Sequence, residues 1–232
     1  MKRIERLNIS CSEGIALCVL IVLAGCASSG AGTPPEDRSS CASLFAGDPT
    51  RASGEYQLED ETGLATVYCD METDGGGWRL IYDEDFEGSE AVVQWTEGSV
   101  ATDDCVKFFG QFLGDESEFG VESIPSVTLD LKGIAHTEAR VELDFLVIDD
   151  WDNERGFVLV DGDTVIETQP YVNPGKTNNL CRNKLFGDLG PRFLQVSTDH
   201  TASTLTLEIA SDLDESAVNE SFGIDNVRVL VR

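Results

Sequence analysis

Val67-Tyr68-Cys69-Asp70-Met71-Glu72-Thr73-Asp74-Gly75-Gly76-Gly77-Trp78 is the stretch that decides how this chain is read. Val67 and Tyr68 favour extended backbone, and three consecutive glycines permit positive φ and close backbone approach. Trp78 then brings a large apolar body to the end of that turn. By themselves these residues describe a strand, a tight turn and a buried tryptophan. Ser40-Cys41-Ala42 and Gly54-Glu55-Tyr56 precede them in the chain.

Taken in order, the Ser-Cys-Ala start, the Gly-x-Tyr strand, the Val-Tyr-Cys-Asp-Met strand and the Gly-Gly-Gly-Trp turn resemble the opening of the fibrinogen C-terminal-like domain. The resemblance covers residues 40–82. It implies a small disulfide-stapled subdomain and a recognition module rather than an enzyme. The chain has no short cysteine-bridged loop near its C terminus and no tryptophan after Trp151. The family's ligand and calcium positions therefore have no counterparts to carry over.

Working outward to the N terminus, Lys2, Arg3 and Arg6 precede a nine-residue apolar run, Ile15–Leu23, closed by Leu23-Ala24-Gly25-Cys26. A basic start, a short apolar core and small residues at its end make a secretory signal. The run is too short for a membrane span, which needs about 18–20 apolar residues. Leu-Ala-Gly-Cys resembles the bacterial lipoprotein signal, which implies cleavage after residue 25 and a lipid on Cys26. Ala27 after the anchor, by the same resemblance, favours an outer-membrane or cell-surface location. Residues 26–39 read as a Gly/Ser/Pro-rich flexible tether.

Of seven cysteines, Cys11 and Cys18 fall in the signal and Cys26 is the lipid site. Cys41, Cys69, Cys105 and Cys181 remain, an even set in an exported chain, with three possible disulfide connectivities. The fibrinogen-like resemblance implies Cys41 with Cys69, and with it Cys105 with Cys181. A zinc site is not indicated: there is no C-x-x-C and only two histidines, His136 and His200. With 43 acidic against 16 basic residues, the net charge is −27. Such a surface repels nucleic acid and anionic lipid headgroups, leaving the lipid as the only membrane attachment.

Beyond residue 82 the chain alternates apolar and polar residues. Val127, Leu129 and Leu131 form one such series, Val141, Leu143, Phe145 and Val147 another. Leu205, Leu207 and Ile209 form a third, and Val227, Val229 and Val231 close the chain. Phe157–Val160, Asp161-Gly162 and Asp163–Ile166 read as a hairpin with a type I′ turn. One apolar and one polar face predicts packed antiparallel sheets. Asp104–Leu113 suits a short helix. The expected fold is all-β, an antiparallel, jelly-roll-like β-sandwich over 83–232 preceded by the fibrinogen-like subdomain.

Asp85-Phe86-Glu87-Gly88 with Gln94-Trp95-Thr96, and Phe222–Val229, resemble calcium-stabilised jelly-roll modules of adhesive and carbohydrate-binding proteins. That resemblance implies a structural Ca2+ held by Asp85, Glu87 and Asp225, on neighbouring first and last strands; a capping or turn role is the other reading. The loop carrying Asp149, Asp150, Trp151, Asp152, Asn153 and Glu154 has two readings. Either it is a rim site, with the indole stacking on a sugar and the carboxylates holding hydroxyls or calcium, or it is a solvated acidic turn with Trp151 tucked into the sandwich edge.

No G-x-S-x-G, H-E-x-x-H or phosphate-loop motif occurs, and neither histidine has a motif around it. The expected function is a lipid-anchored binding or adhesion module for a glycan or surface protein. A structural envelope lipoprotein is the alternative, and a glycoside hydrolase built from paired carboxylates is a more distant one.

Overall fold

The computed structural model describes residues 36–232, except 61–62, 89–93, 115–117, 173–174 and 176–177, and these belong to one compact unit. The expected signal 1–25, Cys26 and most of the 26–39 tether lie outside the described residues.

Ser40 opens a helix that the strand pattern did not indicate. Its hydroxyl accepts the Ser43 N–H at 3.0 Å and so caps α1 (Cys41–Gly47). A hairpin follows, β1 (Gly54–Asp60) and β2 (Gly63–Asp70), with Gly54 opposite Cys69. The Cys41–Cys69 disulfide ties helix to hairpin around Leu44, Leu58 and Met71. The chain then turns through Gly75–Gly77, all at positive φ, into β3 (Trp78–Glu84). At Gly76 a Cβ would lie 2.4 Å from the Met71 carbonyl oxygen, and at Gly77 3.0 Å from Ala42 Cα. No other residue fits there.

Trp78 is fully buried between two guanidinium groups, with Arg140 4.8 Å and Arg232 4.3 Å from its ring. Arg140 lies on β5 (Glu138–Asp149), itself fully buried, and pairs with Asp70 and, at 2.8 Å, with Glu142. Burial alone would push the Asp70 carboxyl up. The Thr73 N–H, Arg140 and the Glu72 N–H outweigh it and hold the group well below the usual carboxylate range.

β3 pairs antiparallel with the last strand, β10 (Glu220–Val231), so residues 40–82 extend the sandwich's own sheet. The full order is β1-β2-β3-β10-β5-β8, where β8 (Gly190–Asp199) is the far edge. The second sheet runs β4 (Ser126–Asp130), β9 (Thr204–Ser211), β6 (Gly156–Val160), β7 (Asp163–Glu167). All pairings are antiparallel, and the expected all-β sandwich is what the chain forms. Val127, Leu129, Val141, Leu143, Phe145, Val147, Leu205, Leu207, Ile209, Val227, Val229 and Val231 all fall in one core between the sheets. The Asp161-Gly162 turn has φ of +52° and +84°, as a type I′ turn requires. β8 was not foreseen: as an edge strand it leaves Phe193 63 % exposed, which blurs its alternation.

Within the expected 104–113 helix, α2 spans Val106–Phe109. Cys105 is bonded to Cys181, so both implied disulfides are present. The bridge lies over Leu146 and Ile148 on the outer side of the six-stranded sheet, with Ala101 and Phe112.

Candidate functional site

The β5–β6 loop does not present its tryptophan outward. Trp151 is fully buried, its indole N–H donates to the Ser221 carbonyl at 2.7 Å, and its ring meets Phe145 and Tyr171 edge-on. The stacking role is corrected to a core role. Trp151 lies two residues past the end of β5, where alternation no longer fixes a side chain's face, so the sequence left both readings open.

Asp149 is also buried, with φ +67°. Its N–H donates to Asp188 at 3.0 Å and its carboxylate accepts the Asn183 N–H at 3.1 Å. Burial, then the neighbouring Asp188, push it up to about 7 against the pull of the Asn183 N–H, Arg182 and Lys184. Asp188 in turn accepts the N–H groups of Leu180 and Cys181. Asp149 therefore shapes the 178–189 loop and is not a rim ligand. Asp150 is part-exposed and donates its N–H to Asn219; Asp152 is exposed.

Arg182 fixes the same end of the sandwich. Its nearly buried guanidinium pairs with Asp103 at 2.5 Å and donates to Ser221 Oγ and the Gly114 carbonyl. Asp104 accepts the Arg182 N–H and pairs with Lys184 at 2.8 Å. Asp103, Asp104 and Cys105 cluster closely, but two guanidinium and ammonium partners and a disulfide already satisfy them.

Glu154 has a different fate. It is buried and accepts the N–H groups of Asp152 at 2.6 Å and Asn153 at 3.2 Å. Its carboxylate converges with Asp214 of the β9–β10 loop and Glu220 at the start of β10, one oxygen from each lying within 4.8 Å of the others. No salt bridge among the described residues reaches these three. Burial pushes Glu220 up to about 7, with Glu154 and Asp214 adding repulsion; burial raises Glu154 as well. Asp214 and Glu220 were missed in the sequence because only tertiary folding brings two distant loops together.

Asp85, Glu87 and Asp225 reach one patch but not one coordination shell: they are not among the groups whose ligand oxygens lie within 4.8 Å. Asp225 is paired in register with Asp144 of β5. Burial, then Asp144, Glu87 and Asp85, push Asp225 up to about 7. The Asn226 amide stands between the two carboxylates, donating to Asp144 at 2.9 Å and Asp225 at 3.2 Å, with Asn226 at φ +50° in a β-bulge. Glu87 is engaged by the Gln111 N–H at 2.9 Å. Asp144 and Asn226 had no signal in the sequence, since strand register is not written there.

The fold and its end loops define a disulfide-stapled β-sandwich carrying buried carboxylates. Residues 40–171 match the family described as fibrinogen beta and gamma chains, C-terminal globular domain, and the chain belongs to that family. Among curated proteins no sequence matches. Structurally, the chain is similar to dimeric latent PorU of Porphyromonas gingivalis (13% identity, 50% of this chain, TM-score 0.36), spanning only 11% of that protein. It is similar to the CBM22-1 xylan-binding domain of Paenibacillus barcinonensis Xyn10C (16% identity, 66% of this chain and 95% of that one, TM-score 0.39). The K3 cleaved adhesin domain of Lys-gingipain from P. gingivalis gives 12% identity, 66% and 99% coverage and TM-score 0.39. At these scores the three likenesses carry no argument about this chain's ligand.

Proposed function

We propose that the protein is an extracytoplasmic binding module, not an enzyme, held at the cell surface by a lipid on Cys26 and recognising a glycan or surface protein. The observation that carries this reading is the end of the sandwich, where a disulfide, Arg182 and Asp188 hold three loops on a rigid frame. Binding sites gather on loops that a rigid scaffold positions. Family membership agrees with it, as does the want of any nucleophile–base constellation in the sequence motifs.

Calcium fits this frame at Glu154, Asp214 and Glu220: hard cations take carboxylate oxygens. A cation there would offset the burial, and the smaller repulsion from Glu154 and Asp214, that raise Glu220. Its role is structural, ordering the β5–β6 and β9–β10 loops. The test is a glycan array probed with the protein in calcium and in chelator. Calcium-dependent signals support the proposal; a blank array in calcium turns the reading to a structural envelope protein. Turnover in a chromogenic glycoside screen would make it a hydrolase. Detergent partitioning that survives Cys26→Ala would remove the lipid anchor.

A further inference from the structure

At the opposite turns of the sandwich lie the chain's two histidines, which the binding reading does not use. His136, between β4 and β5, places Nδ1 2.7 Å from the Ile134 carbonyl oxygen. His200, just after β8 and buried, places Nε2 3.0 Å from Asp161 Oδ2 on the β6–β7 turn. Between the rings, His136 Nε2 faces His200 Nδ1 at 2.8 Å. The centroids are 5.1 Å apart with planes 13° from parallel. That separation is the N–N distance plus one ring radius at each side, so the rings lie end to end and nearly coplanar.

This geometry counts protons. A carbonyl and a carboxylate only accept, so His136 Nδ1 and His200 Nε2 each carry a hydrogen. The two facing nitrogens then need one hydrogen between them. With none, two lone pairs oppose each other at 2.8 Å; with two, N–H opposes N–H and imidazolium opposes imidazolium. The joined state therefore holds three ring protons on two imidazoles, one positive charge set against the Asp161 carboxylate.

We propose that the His136–His200 pair is a proton-operated latch: one shared proton ties the β4–β5 loop to β8 and the β6–β7 turn, and a second proton releases it. The surrounding hydrogen bonds show what is tied. The His200 N–H donates to Thr137 O at 3.0 Å, Leu131 N–H to Ser203 O at 2.8 Å, and Thr206 N–H to Asp161 Oδ1 at 2.7 Å. Gly133, Ile134 and Ala135 form the wall shared by two hollows. One is a cleft of about 220 Å³ toward Ser39–Ala42, Arg79 and Arg232; the other, about 310 Å³, lies toward Thr201–Ser203. Release moves that wall and alters both. Other charges on the flanking elements are the exposed Asp130–Lys132 pair, Glu138 with Arg232 at 2.7 Å, Asp199 opposite Glu138, and Asp163 in the hairpin. Apart from Asp161, no charged group is paired with either ring among the described residues.

With two histidines, all four ring nitrogens resolve by 15N NMR of the intact protein. On an acid titration the joined state should show three of them protonated, with a coupling across the shared N–H···N. Further acid should protonate the fourth and abolish the coupling. After correction for intrinsic rates, the His200, Leu131 and Thr206 amides should then exchange at least tenfold faster, while Val141 and Val229 in the central strands do not change. His136→Gln, which cannot take the second proton, should make exchange at these amides independent of pH over that range. No N–N coupling at any point of the titration, unchanged exchange on acidification, or the same acid response in His136→Gln overturns the latch.

Discussion

Replacing Arg140 by Met removes a cation buried between the N-terminal segment and β5. The guanidinium is 0 % exposed, and its partners Asp70 and Glu142 are each 6 % exposed. Met fills much of the volume, so the cost is chiefly electrostatic. Glu142 keeps Arg228 at 3.1 Å, whereas Asp70 keeps neutral donors, among them the N–H groups of Glu72 and Thr73 and the Ser53 hydroxyl. Stranding one partner of a buried pair costs about 3–5 kcal/mol, and loss of the contact with Trp78 adds to it. Urea unfolding should show the midpoint falling by that loss divided by the slope, with the slope itself unchanged. Asp70→Asn in the same chain should restore most of the loss, since asparagine keeps an oxygen for the Glu72 and Thr73 N–H groups without a charge to strand. A loss below about 1 kcal/mol, or a double variant no better than the single, would refute the view that this pair joins residues 40–82 to the sandwich.

Trp151→Ala should destabilise the fold by about 3–5 kcal/mol, since it empties a core site; a stable variant with lost ligand binding would return the ring to a rim. Calcium at a hundred times its dissociation constant should add about 2.7 kcal/mol to folding. That increment should vanish in Glu220→Gln, while Asp225→Ala leaves it in place, as thermal melts with and without chelator would show. Asp149, Glu220 and Asp225 are all held above the ordinary carboxylate range, at about 7. Their folded forms favour the proton, so calcium-free protein should lose stability as pH rises from about 4 toward 7. Denaturant midpoints flat across that window would contradict the burial argument. Reducing Cys105–Cys181 should cost about 4.5 kcal/mol in the chain-entropy estimate, and loosen the 178–189 loop in hydrogen exchange before the core strands.

Local chemistry was enough to determine much of this protein from sequence. Alternation placed β4, β5, β9 and β10, because a strand with one face in a core must repeat every two residues. Asp161-Gly162 named its own turn, and the glycines before Trp78 stand where any Cβ would collide with Met71 or Ala42. What tertiary structure alone decided are the relations between distant segments. Strand register set Asp225 opposite Asp144 and put the Asn226 amide between them. Loop convergence gathered Glu154 with Asp214 and Glu220, and edge-to-edge docking met His136 with His200. The acidic loop at Asp149–Glu154 looked solvated because charge suggests exposure. Its neighbours supplied N–H donors that let Asp149 and Glu154 be buried instead. Sequence states which groups a residue offers; only the fold states which partners and how much water they meet, and those two quantities set the burial, protonation and role of a carboxylate.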